Sequence, residues 1–115
     1  MEKSEAVAAL AALAQANRLD VYRLLVQAGP LGMPAGNVAS ALKLAPNTLT
    51  FHFDRLRQAG LVSVRRDGRS MIYAAQYDVM NALLGYLTDN CCGGASCAPS
   101  NTRKPRRAKR VKVTA

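Results

Sequence analysis

Three of the 115 residues are cysteines, and they lie together: Cys91, Cys92 and Cys97, with Gly93-Gly94 between the pair and the third. An odd number of thiols in so short a stretch is a poor disulfide framework. In a reducing compartment such a cluster more often binds a metal or senses redox state. The two glycines let the backbone fold back so that Cys97 approaches the pair. Three thiolates neutralise a trivalent arsenic or antimony centre and fit its three-sided pyramid, and soft sulfur suits a soft ion. A methylated trivalent arsenic needs only two of them. Zinc would want a fourth ligand, which Asp89 or water can supply. Closure of Cys97 onto Cys91 or Cys92 would make a redox switch instead, and an incidental cluster in a flexible tail is the blandest alternative. No Cys-x-x-Cys, no phosphate-cradling loop and no neighbouring histidine accompany the thiols. That argues against a small thiol enzyme such as an arsenate reductase.

A second set of chemically useful residues lies between Pro46 and Arg69. At about 100° per residue, Leu49, Phe53 and Leu56 share one side of a helix. Asn47, Thr50, Phe51, Asp54 and Gln58 fall opposite, flanked by Thr48 and Arg55. Asn and Thr can address base edges or phosphates in a major groove, and Phe51 can rest on a thymine methyl. His52 is the only histidine, about 60° from the buried centre, and is expected to pack or to contact a phosphate. Arg65, Arg66 and Arg69 surround a hairpin turn, where they can hold phosphates or straddle the minor groove. A solvated helix face and a charged edge strand guarding against aggregation are the alternatives. The short helix before and the hairpin after favour a DNA-docking module.

The elements that must carry these groups follow from periodicity. Residues 4–15 read as a helix with Val7, Leu10, Ala11 and Ala14 on one face. Asn17, with Asp20 three residues on, is expected to cap a second helix. Leu19, Val21, Tyr22, Leu24, Leu25 and Val26 cover most of its circumference, which predicts a central position. Gly29-Pro30 ends it. Pro34 opens a short third helix to Leu42 with Val38, Ala41 and Leu42 inward. Lys43-Leu44-Ala45 connects it to a fourth helix, Pro46 to Ala59, and two helices so spaced make a helix-turn-helix. Strands are expected over 61–66 and 69–75 around an Asp67-Gly68 turn, then a fifth helix over 77–89. The fold class is mainly α with a small β-hairpin, a winged helix-turn-helix in the order α-α-α-α-β-β-α. The stripe Val79, Met80, Leu83, Leu84, Leu87 and its counterpart Val7, Leu10, Ala14 exceed what one small body covers. They predict a homodimer, with Val7, Leu10, Val79, Leu83 and Leu87 at the interface.

Charge divides the chain further. Lys plus Arg is 16 and Asp plus Glu is 7, a net charge of +9. Seven of the basic residues and none of the acidic ones lie in 98–115, so the first 97 residues carry nine basic against seven acidic, or +2. Residues 1–90 are therefore read as the DNA-binding and dimerisation domain, 91–97 as the cysteine segment, and 98–115 as a basic, disordered tail. No apolar run approaches the roughly 18 residues of a membrane span. Glu2 and Glu5 spoil a secretory leader. A cytoplasmic protein with no membrane partner is expected. A constitutive nucleic-acid-packaging protein using the tail would also be basic, but it would bind DNA without regard to sequence.

Asn17-Arg18-Leu19-Asp20-Val21-Tyr22-Arg23-Leu24-Leu25 resembles the second-helix motif of the ArsR/SmtB family of winged-helix repressors. Thr48-Leu49-Thr50-Phe51-His52-Phe53 and Leu56-Arg57-Gln58-Ala59-Gly60-Leu61-Val62 are similar to its recognition-helix and wing-entry motifs, and Arg65-Arg66-Asp67-Gly68-Arg69 through Tyr73 to its wing. The resemblance covers about residues 4–90. It implies a homodimeric repressor that binds double-stranded operator DNA and is released by metal or metalloid ions. Two departures stand out. Ala45 replaces the usual side-chain cap before the recognition helix. The third helix also lacks the cysteine pair of many arsenic-responsive members, and the last helix lacks the histidines of the zinc-responsive ones. Cys91-Cys92-Gly93-Gly94 with Cys97 instead resembles the C-terminal sensor segment of some arsenic-responsive members. On this reading As(III) or Sb(III) is the inducer, and no cofactor is required for folding.

Overall fold

The computed structural model describes residues 1–94; Cys97 and the basic segment 98–115 lie outside the described residues. Five α-helices and a small sheet follow in the order α1 (Lys3–Leu13), α2 (Ala16–Ala28), β1 (Met33–Pro34), α3 (Ala35–Leu42), α4 (Pro46–Gln58), β2 (Val62–Asp67), β3 (Ser70–Ala75) and α5 (Tyr77–Leu87). The expected helix-turn-helix and hairpin are both present.

The inner face of α1 is Ala6, Ala9 and Ala12, a second face beside the apolar stripe of Val7, Leu10, Ala11 and Ala14. Helix separation depends on the side chains at the contact, and methyl groups let α1 lie close to α2 and α4. Val7 and Leu10 are left 58% and 42% exposed. α2 buries Val21, Tyr22 and Leu25 and packs on α1, α3, α4 and β3, the central role its composition predicts. Its cap is Gln15, whose Oε1 accepts from the Arg18 N–H at 2.8 Å. Asn17 lies inside the first turn, because α1 and α2 are separated by only two residues.

β1 was not legible from alternation: it is two residues long and pairs with Tyr73 and Ile72 of β3. The sheet order is β1-β3-β2, all antiparallel, with β3 in the middle. Gly32, at φ +81°, precedes β1 where a Cβ would run into the Tyr73 carbonyl oxygen, so only glycine brings the chain onto the sheet there. Pro34 is the residue before α3, and Ala39 rather than Ala41 joins Val38 and Leu42 against the core. Asp67 pairs with Ser70, so the hairpin loop is Gly68-Arg69, one residue later than expected. A positive φ at Gly68 and not at the next residue suits a II′ turn.

α5 stops at Leu87, two residues early. The Thr88 hydroxyl bonds back to the Leu84 carbonyl at 2.8 Å, which competes with continuing the helix. Leu83 is 2% exposed inside the single chain. It belongs to the chain's own buried core and is not the interface residue the stripe suggested. Val79 also packs partly on the core, whereas Leu84 and Leu87 remain 53% exposed. Among the described residues no helix is long and apolar enough to cross a membrane.

Candidate nucleic-acid interface and thiol segment

α3 ends on Lys43 in the left-handed region, at φ 57° and ψ 45°, and three residues later α4 begins. Ala45 makes no side-chain cap, as expected, and Pro46 supplies the preset first-turn geometry. Leu49, Phe53 and Leu56 anchor α4 in the core. That fixes which side faces outward: Asn47, Thr48, Thr50, Phe51 and Arg55 are all exposed. The Asn47 Oδ1 accepts from the Thr48 N–H at 3.2 Å, and the Thr50 hydroxyl donates to the Pro46 carbonyl at 2.9 Å. Both groups are held locally and keep acceptor or donor capacity for a base edge. Arg57 pairs loosely with Asp54 at 3.7 Å, an exposed pair of little energetic weight.

His52 is not at this surface. It is 4% exposed, and its Nδ1 faces the Arg18 Nε at 3.5 Å while Nε2 is buried without a hydrogen-bond partner. Burial first, and the Arg18 charge second, hold its pKa below the ordinary 6.5. So buried a ring cannot reach a phosphate, and His52 packs in the core instead of contacting DNA. Arg18, which no local pattern marks as a site residue, joins this surface. Its Nη1 donates to the Ala12 carbonyl at 3.2 Å, and its guanidinium carbon stands 5.7 Å from the Phe51 ring centroid. The Arg55 guanidinium carbon stands 5.1 Å from the same centroid. Phe51, half exposed, thus occupies the flank of α4 that faces α1. No local pattern links Arg18 to a helix 34 residues on; only the fold does.

The wing is the β2–β3 hairpin. Arg65 and Arg66, being consecutive strand residues, point to opposite faces. Arg65 donates to the Leu31 carbonyl at 2.9 Å and so ties the wing to the loop before β1. Arg66 and Arg69 are exposed, and no ion pair holds them among the described residues.

The thiol segment begins directly past α5. The Cys91 N–H donates to the Thr88 carbonyl at 3.0 Å, closing a turn through Asn90 at φ 57°. Cys91 is half-buried and Cys92 exposed. Cys92 and Gly93 both take left-handed backbone, at φ 57° and 66°. The chain therefore curls immediately after the thiol pair. The third thiol, Cys97, lies outside the described residues.

Residues 13–65 match the family model of a helix-turn-helix domain. The nodulation protein NolR of Rhizobium meliloti is 34% identical over 80 residues, spanning 70% of this chain and 63% of NolR. The chain thus matches less than two thirds of that relative's length. The uncharacterized HTH-type transcriptional regulator YceK of Bacillus subtilis strain 168 is 31% identical over 77 residues, 66% of this chain and 76% of YceK. Among solved structures, HlyU from Vibrio cholerae N16961 is 32% identical, with 76% of this chain and 97% of HlyU aligned at a TM-score of 0.61. Mb0332 from Mycobacterium bovis, a homodimeric winged helix-turn-helix DNA-binding domain and possible ArsR-family regulator, is 28% identical. It aligns over 76% of this chain and 81% of its own, at a TM-score of 0.62. A possible transcriptional regulator for arsenical resistance is 28% identical over 70% of this chain and 80% of its own, at 0.60.

Proposed function

The chain belongs to the winged helix-turn-helix transcriptional regulators of the ArsR and HlyU type, and from that premise we propose that it is a metalloid-responsive repressor. Its relatives are regulators, and so is this chain, rather than an enzyme. In our reading the metalloid-free dimer holds a palindromic operator in the cytoplasm, where thiols stay reduced. Trivalent arsenic or antimony bound by Cys91, Cys92 and Cys97 releases it.

The observation that carries this reading is the position of the thiol pair. Cys91 and Cys92 follow the last turn of α5, and α5 presents Leu84 and Leu87, each 53% exposed, on its outer side. α1 packs beside α5 and presents Val7 and Leu10. These four side chains form the surface on which a two-fold mate would sit, and likeness to the homodimeric Mb0332 supports that pairing. A metalloid gathering three thiolates would tie down the chain leaving α5 and so shift the geometry of two recognition helices. The ligand must favour the DNA-free arrangement, since equal affinity for both shifts nothing. Likeness to a possible regulator for arsenical resistance supports the choice of ion.

The test is an operator-binding titration with arsenite on the wild type, the three single Cys→Ser variants and the triple variant. Each single variant should bind the operator normally and respond poorly to arsenite. Release of the triple variant at wild-type arsenite concentrations would sink the reading. Release by oxidant and not by arsenite would assign the thiols to redox sensing instead.

A further inference from the structure

We propose that the groove between α1 and α4 binds a small planar carboxylate, at a site separate from the thiol segment. Ala8, Ala11 and Ala12 line it on the α1 side, and Arg18, Phe51, Arg55 and Gln58 line it beside them. This open groove offers about 490 Å³, within the range of small-molecule sites. On the α1 side the lining side chains are only methyl groups, which leaves space beside the longer ones.

The rim has an unusual charge arrangement. Two guanidiniums from residues distant in the chain flank one phenyl ring, at 5.7 and 5.1 Å from its centroid. Among the described residues the one salt bridge is between Asp54 and Arg57, so neither Arg18 nor Arg55 is neutralised by a carboxylate. Two like charges beside an apolar lining attract an anion. Guanidinium geometry matches a carboxylate in a planar, two-pronged pair. The half-exposed Phe51 ring offers an apolar edge between the two guanidiniums for a flat body to pack against. Arg18 is already oriented by the Ala12 carbonyl at 3.2 Å and by His52 Nδ1 at 3.5 Å, so binding need not order it. A phosphate could use the two charges but would leave the ring and the alanines uncovered. The site shares Phe51 and Arg55 with the outward side of α4 but uses none of the cysteines, so it stands or falls apart from the metalloid reading.

The experiment is a nuclear magnetic resonance titration of the full ¹⁵N-labelled chain with benzoate, with acetate and inorganic phosphate as comparators. Benzoate should shift the amides of Ala8, Ala11 and Arg55 saturably, and acetate and phosphate should bind at least about tenfold more weakly. Removing a charged hydrogen-bond partner should weaken benzoate about tenfold or more in Arg55→Gln. That position is exposed, so the fold is retained. Phe51→Leu should also weaken benzoate and leave acetate unchanged. The proposal is overturned if benzoate gives no saturable shift, if the shifts fall outside the groove, or if Arg55→Gln binds like wild type. It is also overturned if phosphate binds as well as benzoate, which would make the two arginines DNA-backbone contacts.

Discussion

The rings of Phe53 and Tyr73 stack face to face, 3.6 Å between centroids and 7° from parallel. Phe53 is on the inner side of the recognition helix α4, and Tyr73 is on β3, the central strand that also forms half of the wing. Aromatic pairs left to themselves prefer an offset or edge-on arrangement. The close overlap is therefore held by the packing around it. It joins the two elements expected to meet DNA into one rigid unit.

Cutting that link should be costly. Phe53 is 1% exposed, and Phe→Ala at a buried site costs about 3–5 kcal/mol. Phe53→Ala is expected to lose at least that much in urea unfolding, enough to threaten a domain of this size. Phe53→Leu should fold and lose less. Equal stability of Phe53→Ala and wild type would show that the stack does not support the fold.

Reading and holding DNA should separate by position. Asn47→Ala and Thr50→Ala are expected to weaken the cognate operator by about 1–3 kcal/mol per lost base contact while leaving random DNA nearly unchanged. Arg66→Ala and Arg69→Ala should weaken both and flatten the dependence on salt. Arg65→Ala should add a loss of stability, because its guanidinium also ties the wing to Leu31. Uniform effects of all five on both DNAs would remove the assignment of α4 as the reading element.

Much of the architecture could be read from the chain because long, strongly periodic elements announce themselves. The face of α4 fixed by Leu49, Phe53 and Leu56, and the hairpin around Gly68, both depend on local pattern. What stayed hidden depends on contacts between distant residues. Two-residue β1 has no alternation to detect, and it exists because Gly32 lets the chain approach Tyr73. The wheel of α5 marks Leu83 and Leu87 alike as apolar. Only the packed chain shows that the first faces its own core and the second faces outward. The wheel of α4 puts His52 near the edge of the buried face, but the packed chain buries it, with its Nδ1 facing Arg18 from 34 residues away.

That distinction on α5 makes a prediction. Leu83→Ala should destabilise each protomer by about 2–5 kcal/mol, as large-to-small core changes do. Leu87→Asp should leave the protomer folded and disrupt the dimer, as should Val7→Asp on α1. Light scattering would report the mass, and the wild type alone should show a melting temperature that rises with protein concentration. A wild-type mass of one chain at micromolar concentration would refute the interface, as would a Leu87→Asp dimer as tight as wild type.

His52 gives a pH dependence whose sign can be derived. The folded chain holds its imidazole pKa below 6.5, through burial and then the facing Arg18 guanidinium. Unfolded, it titrates near 6.5. Across the interval between the two values the unfolded chain binds more protons than the folded one, so stability rises with pH there. Above about pH 8 the ring is neutral in both states and the full stability is present. On acidification the unfolded state gains a proton that the folded state resists, and stability falls until the pH passes the folded pKa. The charge then forms beside Arg18, next to the groove and on the back of the recognition helix. The check is thermal unfolding of wild type and His52→Asn between about pH 7 and pH 5. Asn keeps an acceptor near the position of Nδ1 and cannot take up the proton. Wild type should lose melting temperature more steeply on acidification than His52→Asn. Parallel slopes would mean that His52 does not resist protonation in the folded chain.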